Sequence, residues 1–430
     1  MLHSVLRPVS APPPAAHAPR RWRALLAMAI AGAVGGCNSY NDYNCYGPCG
    51  GNSIEFSNGV ASGDFKGNGL TDVVQLSTVL PVYQPNASNL KLYLSTAAGA
   101  YAAPALVAAG DNPLYIVAAD ITSSCSVCLR STDLATASFD DGTISVFFHN
   151  PATPGTFKPP VMLNSPGASQ LAVMDMNNDG LPDIVSADFN VSLFIQTAPG
   201  TFADPVQLYS GGANWVALGD LNNDGIADIA LTDAVGVKVL MHTGAASAST
   251  YAPPLTLWTQ TQNFNVVGAN LIAIGDLNGD KLNDLVITDP GPTGGAAPIV
   301  VVRLQDLENP GGFLPPVTYP IAPQDLPQSI VLADLENQGS LDIVIGGTQT
   351  VTVLLHDPKN AGKFLPATIY PAYGANEIAI GDVNGDHRPD IILSNGVTNP
   401  IVAGVVTTHP GVLLQSATVP GTFHAVQDLP

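Results

Sequence analysis

The sequence predicts an all-β fold in which seven four-stranded antiparallel blades close into a ring, a seven-bladed β-propeller. Three observations lead to this prediction. Glycine and proline are abundant, with 42 and 37 copies along 430 residues, and no long amphipathic helix is visible. A nine-residue aspartate-rich pattern recurs along the chain, and the same apolar segments surround each copy. Many short strands joined by tight turns are what this composition and this periodicity favour.

The nine-residue pattern begins and ends on aspartate, and its positions are numbered 1 to 9 below. Its full copies occupy residues 175–183, 220–228, 276–284 and 382–390. Weaker copies occupy 64–72 and 334–342, and in a seventh Asp120 and Asp133 flank a short insertion. The first aspartates lie 45 to 58 residues apart, which is the spacing of propeller blades.

Each copy lies between two apolar strands, and a third strand and a fourth, aromatic-led strand follow. The leading aromatic residues are Tyr101, Phe157, Phe202, Tyr251, Phe313, Phe364 and Phe423. Seven loops and seven aromatic-led segments predict seven four-stranded blades, numbered here in chain order. A closed ring is favoured over a linear array because it leaves only short outer edges exposed.

The aromatic-led strands and the loops of the form DxNxDGxxD resemble the FG-GAP/VCBS repeats of the integrin α-subunit propeller. The resemblance covers residues 54–430 and implies the propeller fold for that region. It implies much less about activity, because one fold hosts many functions.

The full loops offer oxygen donors in the order that calcium-binding loops use. In the first full copy these donors are Asp175, Asn177, Asp179, the Leu181 carbonyl and Asp183. The other full copies offer Asp220, Asn222, Asp224, Ile226 and Asp228; Asp276, Asn278, Asp280, Leu282 and Asp284; and Asp382, Asn384, Asp386, Arg388 and Asp390. Hard oxygen ligands favour calcium over zinc or copper. We expect about four structural calcium ions; the alternative is a set of Asx turns held by their own hydrogen bonds.

The weaker loops depart from this donor set. In blade 1, Lys66 stands where an oxygen is expected, and its ammonium group is a candidate replacement for the ion. That substitution leaves Asp64, Asn68 and Asp72 as doubtful ligands. Blade 6 is a further candidate metal site, with Asp334, Glu336, Gln338 and Asp342.

The N-terminus has the organisation of an export signal. Residues 1–36 contain an arginine cluster and an apolar run of about eleven residues, which suits a signal-peptide core and is too short to span a bilayer. The run ends at Gly36-Cys37, which resembles a bacterial lipobox and implies a lipid-modified Cys37. Residues 37–53 then form a polar, flexible tether. We therefore expect a cell-envelope lipoprotein of the outer membrane, facing the periplasm or the exterior.

Four further cysteines follow the predicted lipidation site: Cys45, Cys49, Cys125 and Cys128. An exported protein meets an oxidising compartment, so two disulfides are expected, although the sequence does not choose among the three pairings. A four-thiolate zinc site is the alternative.

Charge limits the classes of partner. The formal charge is −20, and removing residues 1–36 with their four arginines lowers it to −24. Such a chain lacks the basic surface that nucleic acids require, and the lipid anchor is its only expected membrane contact. We therefore expect a non-catalytic binding or adhesion module for a glycan or protein at the cell surface. The alternative is a lyase-like polysaccharide enzyme, which needs a base and charge-neutralising groups, but no basic cluster is evident.

A ring of variable residues marks the candidate ligand site. It lies on the inner strands, five residues before each loop aspartate, and it includes Tyr115, Gln170, Trp215 and Glu377. We expect this rim at the channel mouth opposite the Asp loops, where exposed aromatic rings can stack on a ligand. The alternative is that Trp215 and Tyr115 plug the channel.

Overall fold

The structure is a computed structural model, and it describes residues 54–80, 88–110, 113–122, 132–139, 141–187, 189–244, 250–259, 271–291, 297–321, 325–372, 374–395, 401–402, 405–406 and 409–429. The predicted signal peptide, Cys37, the tether and Cys45, Cys49, Cys125 and Cys128 lie outside these residues. Within them the secondary structure is entirely β. The described part of the chain contains no helix long and apolar enough to span a membrane.

The first three blades run from residue 54 to residue 209. Blade 1 contains β1 (Ile54–Gly63), β2 (Asp72–Leu80), β3 (Ser88–Tyr93), β4 (Ser95–Ala97), β5 (Ala100–Tyr101) and β6 (Ala105–Ala108). Blade 2 contains β7 (Pro113–Ala119), β8 (Asp133–Ser138), β9 (Thr143–Phe147) and β10 (Val161–Asn164). Blade 3 contains β11 (Gln170–Met174), β12 (Asp183–Ala187), β13 (Val191–Phe194), β14 (Gln196–Ala198), β15 (Thr201–Phe202) and β16 (Val206–Tyr209).

The remaining four blades follow in chain order. Blade 4 contains β17 (Trp215–Gly219), β18 (Asp228–Thr232), β19 (Gly236–Leu240) and β20 (Leu255–Thr259). Blade 5 contains β21 (Ile272–Gly275), β22 (Asp284–Asp289), β23 (Ile299–Arg303) and β24 (Val317–Pro320). Blade 6 contains β25 (Pro327–Ala333), β26 (Asp342–Gly347), β27 (Thr350–Leu354) and β28 (Thr368–Pro371). Blade 7 contains β29 (Ile378–Gly381), β30 (Asp390–Leu393), β33 (Gly411–Leu413) and β34 (Gln427–Asp428). Between β30 and β33 the chain forms β31 (Ile401–Val402) and β32 (Val405–Val406), which extend the sheet of blade 1.

Seven four-stranded antiparallel blades are therefore present, as predicted. In blades 1 and 3 the pairs β4–β5 and β14–β15 form small hairpin tips between the third and outer strands. The inner strands β1, β7, β11, β17, β21, β25 and β29 contact one another in this order, and β29 returns to β1. The ring is closed, with the inner strands around a central channel.

The core lies between neighbouring blades. The second strands β8, β12, β18, β22 and β26 are buried at every residue, because both faces of the blade are covered there. The outer strands instead leave large side chains exposed, such as Leu106, Met162 and Leu255. Burial thus decreases from the second strand to the outer strand. This explains why the segment after each Asp loop is a continuous apolar run, whereas the aromatic-led segment mixes apolar and polar residues.

The ring closes through contacts between the first and last blades, and the β31–β32 hairpin inserted in blade 7 extends the sheet of blade 1. The Ser62 hydroxyl donates to the Ile380 carbonyl (2.8 Å), and the Gln75 amide donates to the Ser394 carbonyl (2.8 Å). The Gly99 amide donates to the Val383 carbonyl (3.1 Å). The β31–β32 hairpin adds one parallel bridge from Val406 to Ile54.

Candidate metal loops and the central channel

Each Asp loop connects the first and second strands of its blade, as predicted, so the loops share one face of the ring. In the six loops that keep the pattern, positions 4 and 6 both have left-handed backbone conformation. Glycine occupies most of these positions, but Asn178, Asn223, Lys281, Asn337 and His387 adopt the same conformation with φ between 55° and 70°. A left-handed lysine or histidine is uncommon, so the loops hold one backbone shape even where the side chain disfavours it.

The aspartate at position 9 is a buried hydrogen-bond hub. Asp284 is fully buried; it accepts the Leu277 N–H on Oδ2 and the Gln305 N–H on Oδ1, both at 2.8 Å. The first donor follows the loop's initial aspartate, and the second lies two residues after the third strand. The position 9 carboxylate therefore ties the loop to the blade. The sequence assigned this residue only a metal-ligating role.

Blade 2 separates the two roles of position 9. Its loop has lost the metal pattern, yet Asp133 is fully buried and accepts the Ile121 N–H (3.0 Å) and the His149 N–H (2.8 Å). Asp133 also accepts the Thr122 hydroxyl proton at 2.9 Å. The hydrogen-bonding role of this aspartate therefore persists without the rest of the donor set.

Positions 1, 3 and 5 form a network of Asx turns. In blade 3, Asp175 Oδ2 accepts the Gly180 N–H (2.8 Å) and Asn177 Oδ1 accepts the Asp179 N–H (2.9 Å). Asp179 Oδ1 accepts the Leu181 N–H at 2.8 Å. Among the described residues, no three His, Cys, Asp or Glu side chains are gathered into a ready metal-ligand group. Each carboxylate oxygen has a second lone pair, so these hydrogen bonds and metal ligation are compatible.

Burial and neighbouring charges both act on the position 9 aspartates of the full loops. Burial, opposed by backbone hydrogen bonds, raises the pKa of Asp183 and of Asp228 to about 6, and that of Asp284 to about 7. In each loop the carboxylates at positions 5 and 1 raise the pKa further. The donor set consists of oxygen atoms alone, and its negative charge is costly without a neighbouring cation. The residues therefore fit calcium.

The Asp loops also form the joints between blades. In blades 1, 2, 5, 6 and 7 a hairpin connects the third strand to the aromatic residue, and a glycine in this hairpin contacts the Asp loop of the preceding blade in the ring. The Gly155 N–H donates to the Phe65 carbonyl at 3.0 Å. A Cβ at Gly362 would lie 3.2 Å from Asn278 Cβ, and one at Gly421 would lie 3.2 Å from Glu336 Cγ. These contacts place position 3 of a loop beneath the hairpin of the next blade.

These joints have a signal in the sequence that the metal-ligand pattern does not include. A glycine stands two residues before the leading aromatic residue in six blades: Gly99, Gly155, Gly200, Gly311, Gly362 and Gly421. All six have positive φ between 71° and 81°. Their spacing from the aromatic residue would have identified the hairpin.

In blades 3 and 7 the polar residue that follows the third strand is also part of this joint. Gln415 Nε2 donates to the Leu335 carbonyl of blade 6 (2.8 Å) and to the Pro389 carbonyl of its own loop (2.9 Å). Gln196 makes the equivalent bonds to Ile121 and Pro182, at 2.9 and 2.7 Å. These glutamines have a structural role, and the histidines at the same position share their backbone bond to the position 9 aspartate.

The central channel holds a cavity of about 260 Å³. Its lining includes Tyr115, Trp215, Ser329 and Glu377 from four blades, together with small and apolar side chains of the inner strands. The inner strands of blades 1, 2 and 6 carry a β-bulge directly before the predicted ring position. A bulge redirects the side chains that follow it, and such irregularities are common beside binding sites.

The predicted rim is recessed rather than exposed. Trp215 is only 5% exposed, its indole N–H donates to the Ile272 carbonyl (3.0 Å), and its ring meets Tyr115 edge-on at 5.8 Å. Gln170 is buried and pairs through its amide with the Val216 backbone (3.0 and 3.2 Å). The expectation of exposed stacking surfaces is therefore wrong for Trp215. Gln170 joins two inner strands, and Glu377 is buried.

A family model described as FG-GAP-like repeat matches residues 175–231 and 334–393. The chain contains FG-GAP-like repeats. The matched stretches hold the Asp loops of blades 3, 4, 6 and 7, so the predicted resemblance to FG-GAP repeats is confirmed.

Solved structures resemble the propeller at low sequence identity. The BBS1N chain from a complex with ARL6DN matches with 11% identity and a TM-score of 0.50, over 79% of this chain and 89% of its own. A lectin from Agrocybe aegerita, described as recognising non-reducing terminal N-acetylglucosamine, matches with 18% identity and a TM-score of 0.49, over 74% of this chain and 80% of its own. No curated protein matches the chain significantly in sequence. The likeness to BBS1N shows the fold alone.

Proposed function

We propose that the protein is a calcium-stabilised, non-catalytic binding module of the bacterial cell envelope, with a glycan or protein ligand. The observation that carries this proposal is the channel cavity of about 260 Å³. Its lining differs from blade to blade, whereas the Asp loops repeat one design. Ligand recognition needs a few distinctive groups in a concave site, and Tyr115, Trp215, Ser329 and Glu377 supply aromatic, hydroxyl and carboxylate groups there.

The chemistry of the cavity favours binding over the lyase alternative. Its lining residues include one carboxylate, that of Glu377, and no lysine, arginine or histidine. A lyase acting on acidic sugars needs a base and cationic groups to stabilise the developing negative charge. Aromatic rings, a hydroxyl and a carboxylate can instead contact and orient a sugar or a protein side chain.

A glycan array probed with and without EDTA tests the binding proposal. We expect at least one glycan class to bind the wild-type protein, and Glu377→Gln to weaken that binding about tenfold, because a hydrogen bond to a charged group contributes about 1.5–3 kcal/mol. Glu308→Gln is the matched control, since Glu308 is exposed on the hairpin of blade 5. Equal binding by both variants would place the site elsewhere, and an array without binders would leave a protein as the ligand class.

Calcium in the four full loops is part of the proposal. The all-oxygen donor sets and the raised pKa values of their position 9 aspartates support it. Metal analysis of purified residues 38–430 is expected to find about four calcium ions per chain, the number of full motifs. Such sites typically bind in the range of roughly 10⁻⁴ to 10⁻³ M, so the analysis needs millimolar free calcium. A count below one would reject the metal sites and leave the loops as turns.

The envelope location rests on the sequence of residues 1–53, with Cys37 as the proposed lipidation site. Cys37→Ser is expected to abolish labelling by a radioactive fatty acid and to move the protein from the membrane fraction to the soluble fraction. Cys45→Ser is the matched control, because it removes a cysteine eight residues later without touching the lipobox-like sequence. Identical fractionation of wild type and Cys37→Ser would reject the lipid anchor.

A further inference from the structure

The loop of blade 1 keeps the shape of the other loops without their donor set. Asp64 accepts the Asn68 N–H on Oδ1 (2.9 Å) and the Gly69 N–H on Oδ2 (2.6 Å). Asp72 is fully buried at position 9 and accepts the Phe65 N–H at 2.9 Å. Position 5 is an amide rather than a carboxylate, and position 3 is Lys66.

The side chain of Lys66 turns into the joint. Its Nζ donates to the carbonyl oxygen of Ser95. The Ser95 N–H and hydroxyl both donate to Asp72 Oδ1 at 2.7 Å, so Ser95 links the ammonium group to the buried carboxylate. Burial raises the pKa of Asp72, and the charge of Lys66 opposes that rise.

The loop of blade 1 differs from two of the full loops in formal charge. The loops at 175–183 and 220–228 each carry three carboxylates and no base, a formal charge of −3, which one calcium ion would bring to −1. The loop at 64–72 carries two carboxylates and one ammonium group, which is already −1. Blade 1 therefore has, from its own residues, the formal charge that these two loops would reach only with a calcium ion. The full loops at 276–284 and 382–390 each contain one basic residue and carry −2.

The Lys66 side chain also lies under the neighbouring blade. A Cβ at Gly155 of blade 2 would be 3.1 Å from Lys66 Cγ, and the Gly155 N–H bonds to the Phe65 carbonyl of the same loop. We propose that Lys66 is a tethered cation that takes the place of calcium in blade 1, so that the joint between blades 1 and 2 is independent of calcium. This inference rests on the calcium sites of the proposed function and extends them to blade 1.

Thermal unfolding in EDTA tests the stabilising role of the charge. Lys66→Met keeps most of the aliphatic side chain but removes the ammonium group, and we expect it to lower Tm by about 2 °C or more relative to wild type. Lys158→Met is the matched control, because Lys158 is exposed on the same face, and its Tm should not change. Equal Tm values for the two variants would overturn the proposal.

A second variant tests whether the lysine replaces an ion. The double change Lys66→Asn and Asn68→Asp creates the full ligand pattern in blade 1. We expect this variant to be destabilised in EDTA, to regain the wild-type Tm in calcium, and to bind one more ion per chain than wild type. An unchanged ion count would overturn the proposal.

Hydrogen exchange of the wild-type protein tests, without any substitution, whether the loop of blade 1 is independent of calcium while the full loops depend on it. Chelation is expected to accelerate exchange in residues 175–183, 220–228, 276–284 and 382–390, but not in 64–72. Accelerated exchange in 64–72 would contradict a calcium-independent blade. If no loop responds to chelation, the calcium proposal fails, while the EDTA comparison of Lys66→Met with Lys158→Met still decides the role of Lys66.

Discussion

Replacing Asp284 with alanine is expected to destabilise the protein by about 2–6 kcal/mol, because it leaves two buried N–H groups, those of Leu277 and Gln305, without their acceptor. That cost is a large fraction of the stability of an ordinary domain. Since both lost hydrogen bonds are internal to the blade, the loss should be seen in EDTA as well as in calcium. Thermal and urea unfolding in the two conditions measure it.

Asp280→Ala is the matched control, four residues away in the same loop. Asp280 is exposed and accepts hydrogen bonds only within the loop, from the Leu282 N–H and the Asn278 amide. We expect a change within about 0.5 kcal/mol in EDTA and the loss of one calcium ion. If Asp284→Ala costs stability only in calcium, position 9 acts as a ligand alone and the hydrogen-bond interpretation fails.

Replacing Trp215 with alanine is expected to cost about 3–5 kcal/mol, the usual price of truncating a buried tryptophan. Trp215 is 5% exposed, packs edge-on against Tyr115, and lies in the largest core cluster. Its removal enlarges the channel cavity and deletes the hydrogen bond to the Ile272 carbonyl. Chemical unfolding measures the loss, and the glycan array measures any effect on binding.

Two controls separate a plug from a ligand-stacking surface. Trp215→Phe keeps an aromatic ring and loses the indole N–H, so it should cost only about 1 kcal/mol. Phe189→Ala removes an aromatic residue that is 48% exposed and should change stability little. Lost glycan binding with unchanged stability in Trp215→Ala would restore the exposed-rim interpretation.

The blades could be predicted because each blade repeats the same local sequence pattern. The Asp loop, the apolar second strand and the aromatic-led segment recur in one order. Every copy therefore predicts the same positions for the starts and ends of its strands. Even blade 2, whose metal pattern is lost, keeps Asp133 and Phe157 in register. A fold determined by such local features can be predicted from the sequence without knowing how the blades pack together.

The channel could not be predicted to the same depth, because it depends on how far each inner side chain reaches across the ring. The sequence places Tyr115 and Trp215 at equivalent ring positions two blades apart, yet it does not show that their rings meet. The bulges before Gly59, Tyr115 and Ser329 also have no signature in the sequence. Position 9 was assigned one role because metal ligation and hydrogen-bond acceptance call for the same residue, aspartate.

The hairpin-over-loop joints have a consequence for synthesis on the ribosome. At the joints of blade 1 with 2, 4 with 5, 5 with 6 and 6 with 7, the covering hairpin is translated shortly after the loop that it covers. At the joint between blades 7 and 1 the order is reversed. The hydroxyl of Ser62 has no acceptor until Ile380, 318 residues later, has been translated. At roughly 5–20 residues per second this wait is about 16–60 s. The side of blade 1 that faces blade 7 therefore stays uncovered until blade 7 has been translated. On its other side, at the joint with blade 2, blade 1 has the ammonium group of Lys66 in place of an ion.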